Sequence, residues 1–398
     1  MPRAFTGYAF DACETPSQSE MDTWRTSSPF WGVGVYIAGV NRLCDTQANL
    51  NSTWVATQAS RGWRVLPITV GLQASCSSFP DKINPTPTNS YAAARAQGRA
   101  EAVTTVSASQ SLGFAQGTTH WLDIEDFDYL NTDCRRSMLG FVSGWTSKLH
   151  ALGYKSGLYS NVAAGIKAVE AARTLSPGSY ELPDQLWFAH FNGQVTTSTS
   201  VLAPSAWRHQ RIHQYFGDST RTYGGVTLDI DLNWMDVGGG THAPAPSPHC
   251  GVRIDFSSYG VLRQGDSGAK VTALQCLLKQ QGVYDGRLNG TYNLATKNAV
   301  TKFQKKYTLA DTGVVNRSTW MVLLAKGSPS FSKVGSGTDA VRRIQRALNA
   351  AGDEGLTISG VFDRRTEAAV KRYQTGRGLP ATGVVASSTW APLQQGLR

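Results

Sequence analysis

The chain has 398 residues, of which 41% are hydrophobic and 17% charged, with 40 glycines and 11 tryptophans. That is too apolar for a disordered chain and long enough for two to four packed domains, or one large barrel with appendages. No apolar run reaches the roughly 18 residues of a membrane helix, and Met1-Pro2-Arg3-Ala4-Phe5 lead directly into a strand-like stretch without a signal-peptide core. An exported protein would therefore have lost its leader or used another route. The net charge of +10 is unevenly spread: residues 1–240 hold 17 basic against 19 acidic residues, and residues 241–398 hold 21 against 9. A basic C-terminal part suits a polyanionic partner such as nucleic acid, an acidic membrane surface or an anionic wall polymer.

In chain order, short apolar runs at 8–10, 33–37, 64–70, 120–124, 156–159, 186–189, 212–215 and 227–231 read as eight strands. Helical patterns such as 91–112 and 135–152 separate several of them. Eight strands in about 240 residues with helical crossovers predict a (β/α)8 TIM-type barrel, with a distorted barrel left open because the later crossovers are less clear. In such a barrel the chemistry collects at the C-terminal strand ends. Asp11 is expected to close strand one, Asp123 and Glu125 strand four, and Asp229 and Asp231 strand eight. Residues two apart share a strand face, so Asp123 and Glu125 can both point into the mouth. Burial and mutual repulsion there would raise a carboxyl towards the range of a general acid. Asp126 and Asp128 read as capping or solvated residues. The run from Asp229 to Asn233 fails as a calcium loop, with Trp234 where glycine and Gly240 where glutamate would be needed.

The stretch Gly238-Gly239-Gly240-Thr241-His242-Ala243-Pro244-Ala245-Pro246-Ser247-Pro248 is a solvated connector by composition and coincides with the change in charge. The predicted organisation is a barrel at 1–237, a linker at 238–249 and two repeats at 250–326 and 331–398. The repeats superpose at a shift of 70 residues: Leu274-Gln275 on Ile344-Gln345, Gly290 on Gly360, Phe303-Gln304 on Tyr373-Gln374, and Ser318-Thr319-Trp320 on Ser388-Thr389-Trp390. Each copy reads as a small all-α unit of three helices. The run from Gly360 to Gln374 resembles the bacterial peptidoglycan-binding domain family, which implies non-catalytic attachment to murein and accounts for the basic half without a nucleic-acid partner.

Six cysteines form no C-x-x-C pair, which favours disulfides in an oxidising compartment over a zinc site. Cys44 and Cys76 follow neighbouring strands and are expected to bridge, leaving Cys13 with Cys134. Cys250 and Cys276 flank the start of the first repeat and are expected to staple its entry segment to its first helix. His120, His190 and His213 lie near strand ends but show no metal-ligand spacing, so neither a metal nor a cofactor is expected.

Phe10-Asp11, Trp121-Leu122-Asp123-Ile124-Glu125, Gly157-Leu158-Tyr159-Ser160, Leu186-Trp187-Phe188-Ala189, His213-Gln214-Tyr215 and Asp231-Leu232-Asn233 follow in the order of glycoside hydrolase family 25 lysozymes. Phe10-Asp11-Ala12-Cys13, and Gly34 to Gly39 with Asn41-Arg42, are more similar still to the related bacterial glycoside-hydrolase-like domain of unknown function. The resemblance implies Glu125 as general acid and Asp123 as the group orienting a substrate N-acetyl, a substrate-assisted route. Asp11 and Asp231 would position Asp123, and Tyr36, Tyr159, Trp187, Gln214 and Asp229 would bind substrate. The expected protein is a monomeric, muramidase-like glycosidase held on peptidoglycan by its repeats. The alternative is an inactive glycan-binding or wall-organising protein on the same barrel. Either is expected to be extracellular or wall-associated, with a phage-type lysin also open.

Overall fold

The structure is a computed structural model and describes residues 4–398. The main division of the chain falls between Gly240 and Thr241. In the first unit, β1 (Phe5–Asp11), β2 (Gly32–Ala38), β3 (Arg64–Thr69), β4 (Thr119–Asp123), β5 (Lys155–Asn161), β6 (Gln185–Ala189), β7 (Gln210–Tyr223) and β8 (Val226–Val237) close a barrel in sequence order. Strands β1 to β7 pair in parallel, each connection from β1 to β6 carrying a helix: α1 (Gln18–Ser27), α2 (Ser52–Ser60), α3 (Thr88–Ser111), α4 (Thr132–Ala151) and α5 (Lys167–Leu175). A π-helical turn at Val162–Ile166 leads into α5.

The last quarter of the barrel departs from the eightfold pattern. Between β6 and β7 there is no helix, and β7 and β8 form an antiparallel hairpin, so β8 runs antiparallel to both of its neighbours. The cause is local: Gly224 and Gly225 sit between the paired residues Tyr223 and Val226 with φ of 61° and 82°. Two successive positive φ values make a two-residue turn whose twist matches a β-hairpin, and glycine adopts them without strain. A helical crossover has no room to form. The hairpin strands, 14 and 12 residues long, are roughly twice the length of the others.

Inside the barrel, Phe5, Leu66, Ile68, Trp121, Trp187, Ile212 and Met235 pack into one apolar cluster. Gly34 makes room for it beneath the mouth. A Cβ there would lie 2.7 Å from Asp11 Cβ and 2.9 Å from Ile68 Cδ1. A larger cluster lies between the sheet and the helices, around Phe141, Trp145, Leu158 and Phe188.

In the second unit, α6 (Ala269–Gln280), α7 (Leu294–Lys306) and α8 (Arg317–Ala325) form one repeat, and α9 (Asp339–Gly352), α10 (Arg364–Gly376) and α11 (Ser387–Gln394) the other. The coincidences seen in the sequence have a physical basis in buried glutamines. Gln275 donates to Thr291 O at 3.0 Å and accepts from Gly290 N at 3.0 Å; Gln345 does the same with Val361 O and Gly360 N. Gln304 with Val314 O and Gly313 N, and Gln374 with Val384 O and Gly383 N, repeat the arrangement. Each amide satisfies an interhelical turn that would otherwise bury unpaired backbone groups. The tryptophans also correspond: Trp320 Nε1 donates to Gly260 O and Trp390 Nε1 to Ser330 O.

The repeats are not independent beads. Arg346 Nε meets Asp255 Oδ1 at 2.6 Å, Asn349 donates to Phe256 O, and Gln394 donates to Ala325 O and Gly327 O. The Pro-rich connector is largely exposed, yet Arg342 Nη2 donates to Pro244 O at 2.7 Å, so it runs along the second repeat before entering the first. No helix among the described residues is long and apolar enough to cross a membrane.

Candidate active site

Asp11, the last residue of β1, is directly paired with Asp231 of β8. Because β8 runs antiparallel, Asp231 does not close its strand as the sequence pattern suggests. It lies mid-strand, and the hairpin carries Asp229 farther out, where it is exposed and accepts from Thr220 Oγ1 at 2.6 Å. The same reversal, with the period of two, gives Asn233 a place beside Asp11.

Asp11 is 2% exposed and accepts from Asn233 Nδ2 at 2.6 Å, Tyr36 Oη at 3.1 Å and Gln214 Nε2 at 3.3 Å. Gln214 Nε2 also donates to Asp231 Oδ2 at 3.1 Å, and its Oε1 accepts from Tyr159 Oη at 2.7 Å. Asp231 Oδ1 accepts the backbone N–H of Asp218 at 2.7 Å. Burial, followed by repulsion from Asp231, pushes Asp11 up to about 7 despite its three donors.

Across the mouth, Asp123 ends β4 and is 4% exposed; its Oδ1 has no hydrogen-bond partner among the described residues. Glu125 follows in the loop. Strand β3 ends at Thr69, short of the level where β4 needs a neighbour, and the side chain of Gln73 substitutes for it. Gln73 Nε2 donates to Asp123 O at 2.7 Å, and Gln73 Oε1 accepts from Glu125 N at 2.8 Å. On the other side Ile124 N donates to Tyr159 O at 3.0 Å. The backbone from Asp123 to Glu125 is thus held from both flanks. Burial and then repulsion from Glu125 and Asp11 raise Asp123 well above the carboxylate range. Burial and then repulsion from Asp231 and Asp126 raise Glu125, and burial raises Asp231.

A cavity of about 720 Å³ opens here, and its wall includes Tyr36, Arg42, Asp123, Glu125, Asp218 and Asp231. A smaller one of about 190 Å³ shares Tyr36, Asp218 and Asp231 and adds Asp11 and Asp229. Trp187 and Gln214, expected to line the groove, are corrected. Both are 1% exposed, and neither belongs to the wall of either cavity. Trp187 packs in the barrel interior and donates to Asn233 Oδ1 at 2.7 Å, so it supports Asn233 from below. Gln214 ties the two aspartates together. Tyr159 is partly exposed and spends its hydroxyl on Gln214.

The cysteine pairing in the barrel is also corrected. Cys13 pairs with Cys44 and Cys76 with Cys134, at Cα separations of 5.6 and 5.7 Å; Cys250 pairs with Cys276. Adjacency of strands was the right kind of argument, but the loop after β2 has neighbours on both sides, and adjacency alone cannot choose between them. The result joins the loops after β1 and β2, and the loop after β3 with α4, bracing the segments that carry Asp11 and Glu125.

Of the three strand-end histidines, His120 stands apart from the neighbouring His190 and His213. His120 is buried with both ring nitrogens unpartnered among the described residues, and burial lowers it to about 4. His213 faces Thr196 O and His190 O, and His190 is exposed beside Asn192. Among the described residues no group of three or more His, Cys, Asp or Glu is placed to hold a metal ion. Gln73, Asn233, Asp218 and the lining role of Arg42 were not anticipated. Asn233 could have been, since it lies two residues from Asp231 on one strand. Gln73 sits in a loop with no periodicity to reveal it.

Residues 22–235 match the family model "Rv2525c-like, glycoside hydrolase-like domain", and residues 267–323 and 337–393 match the peptidoglycan binding domain family PG_binding_1. Among curated proteins, the chain is 30% identical over 166 residues to the N-acetylmuramoyl-L-alanine amidase CwlL of Bacillus licheniformis, covering 35% of this chain and 46% of that one. It is 31% identical over 85 residues to a spore cortex-lytic enzyme of Bacillus cereus, covering 21% and 33%. The chain thus spans less than half the length of these two relatives. Among solved structures, the Tat-secreted protein Rv2525c of Mycobacterium tuberculosis in complex with L-tartrate aligns over 57% of this chain and 95% of that one, at 13% identity and a TM-score of 0.39. With more than half of its residues under the first family model, the chain belongs to the Rv2525c-like, glycoside hydrolase-like domain family.

Proposed function

We propose that this protein is a peptidoglycan-directed hydrolase whose barrel cleaves a glycosidic bond of the murein strand while the two repeats hold it on the wall. The observation that carries the reading is one cavity faced by Asp123, Glu125 and Asp231 with Asp11 directly behind, every one of the four raised above its ordinary value. A raised glutamic acid keeps its proton closer to neutrality and can deliver it to a leaving oxygen. Glu125 protonates the glycosidic oxygen as the bond from the anomeric carbon breaks, and the substrate's own acetamido oxygen closes on that carbon. Asp123, with an oxygen left unpaired among the described residues, accepts the acetamido N–H and orients the acetamido group for that closure. Glu125, now a carboxylate, removes a proton from the water that opens this ring. Asp11 and Asp231 hold the far wall through Gln214. The names of the wall-lytic relatives, and the match of two repeats to a peptidoglycan binding family, support the wall as the site of action, outside the cell. Attachment through the repeats raises the local substrate concentration without new contacts in the cleft.

The test incubates the protein with purified murein and counts new reducing ends and new amino groups, beside Glu125→Gln. Reducing ends that the variant loses by at least about a hundredfold are expected, the range for removing a general acid. Amino groups in place of reducing ends would make the barrel an amidase. Binding with neither product would make it a non-hydrolytic glycan-binding protein.

A further inference from the structure

Among the described residues the acidic cavity has one cation in its wall, Arg42, in the loop after β2. Its guanidinium is anchored at two of its nitrogens: Nη1 donates to Tyr36 O at 3.2 Å and Nε to Gly39 O at 3.4 Å. Among the described residues Nη2 has no partner, and Arg42 forms no ion pair with any carboxylate. Among the described residues Asp123, Glu125 and Asp231 form no ion pair, and all three are raised, so Arg42 is not their counter-ion. It also borders a second cavity of about 510 Å³, whose acid, Glu101, does not pair with it either.

Held by two carbonyls, the guanidinium lines the cavity with Nη2 unspent among the described residues. A neutral acetylated sugar needs no cation there. A sugar bearing an acid must give up the hydration of its carboxylate on entering, and a planar guanidinium replaces that hydration with charge-assisted hydrogen bonds. We propose that Arg42 is a specificity-determining residue that binds a carboxylate borne by the glycan, so that the cleft selects acid-substituted over neutral N-acetylated strands. The inference rests on the cavity being a glycan cleft, but not on hydrolysis. The carboxylate has two sources, an acid ether on the sugar itself or a peptide attached through that ether.

The test uses the full chain carrying Glu125→Gln, so that no ligand is consumed, and measures calorimetric affinity for four ligands. These are the N-acetylglucosaminyl–N-acetylmuramic acid disaccharide, its methylamide, the same disaccharide bearing a peptide with free carboxylates, and the neutral N-acetylglucosamine dimer. Each is repeated with Arg42→Gln and Arg42→Lys added. The repeats are common to all proteins, so their contribution cancels in the differences. A preference of about ten- to a hundredfold for acid over methylamide is expected, the range of a charged hydrogen bond. Arg42→Gln abolishes that preference and Arg42→Lys restores part of it. If the peptide-bearing ligand alone shows the dependence on Arg42, the carboxylate belongs to the peptide. Equal binding of acid and methylamide together with a peptide-bearing ligand that is indifferent to Arg42, no binding of any ligand, or a loss in Arg42→Gln shared equally by the neutral dimer would overturn the proposal. Absence of reducing ends in the earlier assay, with this preference intact, would overturn hydrolysis alone.

Discussion

Replacing Asp11 by asparagine separates stability from function at this site. The Asp11 carboxyl is raised from 3.8 to about 7, so the folded protein binds a proton there that the unfolded chain releases near 3.8. Stability from this group is complete below about pH 4 and is lost as pH rises through about 7. That interval, at about 1.4 kcal/mol for each pH unit, places the penalty on the order of 4 kcal/mol in the alkaline limit. Asparagine carries no charge but turns an N–H2 towards Asn233, Gln214 or Tyr36, all of which donate to Asp11. One mismatched hydrogen bond returns about 1–2 kcal/mol of that gain. Asp11→Asn is therefore expected to be more stable than wild type by roughly 2 kcal/mol at about pH 8, and no more stable, or slightly less, at about pH 5. Urea unfolding of the full chain, followed by near-ultraviolet circular dichroism across that range, measures the difference. Under the proposed murein hydrolysis, the variant should also release fewer reducing ends than wild type. A stability difference that stays constant with pH would refute the assignment of a raised, functional Asp11.

Three further outcomes are expected. Gln73→Ala removes the side chain that aligns Asp123 and Glu125; kcat should fall about tenfold or more with KM little changed, the pH optimum should move, and Gln73→Glu, which keeps one acceptor, should recover part of the loss. An unmoved pH profile would make Gln73 merely structural. Peptide mapping without reductant should find Cys13 with Cys44 and Cys76 with Cys134, and a Cys44–Cys76 peptide would contradict the structure. His120 is lowered from 6.5 to about 4 by burial, so the unfolded chain binds the extra proton between those values and stability falls as pH drops through them, by about 3 kcal/mol. His120→Phe should flatten that acid limb; an acid limb identical to wild type would show that His120 does not cause it.

These two contributions to stability act in opposite directions between about pH 4 and 7, with Asp11 favouring the acid side and His120 the neutral side. Both arise from burial, but their contexts differ. His120 lies beside Tyr154 with its nitrogens unmet, whereas Asp11 is surrounded by donors arranged around it. The second pattern is the one expected of a retained functional carboxyl.

Much of the molecule was legible from the chain alone, because it follows from periodicity and local chemistry. The eight strands, the two three-helix repeats and the boundary near residue 240 come from apolar spacing, turn residues and self-similarity, which act over a few residues and do not depend on distant partners. The same reasoning selected Asp11, Asp123, Glu125 and Asp231 as candidates at strand ends; in the structure Asp123, Glu125 and Asp231 line one cavity and Asp11 lines its smaller neighbour. What local patterns could not express was direction and adjacency. The Gly224-Gly225 turn reverses β8, and only closure of the barrel makes that reversal put Asp231 opposite Asp11 and Asn233 beneath it. Likewise, three-dimensional neighbourhood decides which loops Cys13, Cys44, Cys76 and Cys134 join, which amide stands in for the missing end of β3, and that Trp187 supports the site from the interior rather than facing a ligand. Those outcomes depend on residues up to about two hundred positions apart meeting in a closed sheet, and no short-range pattern encodes such a meeting.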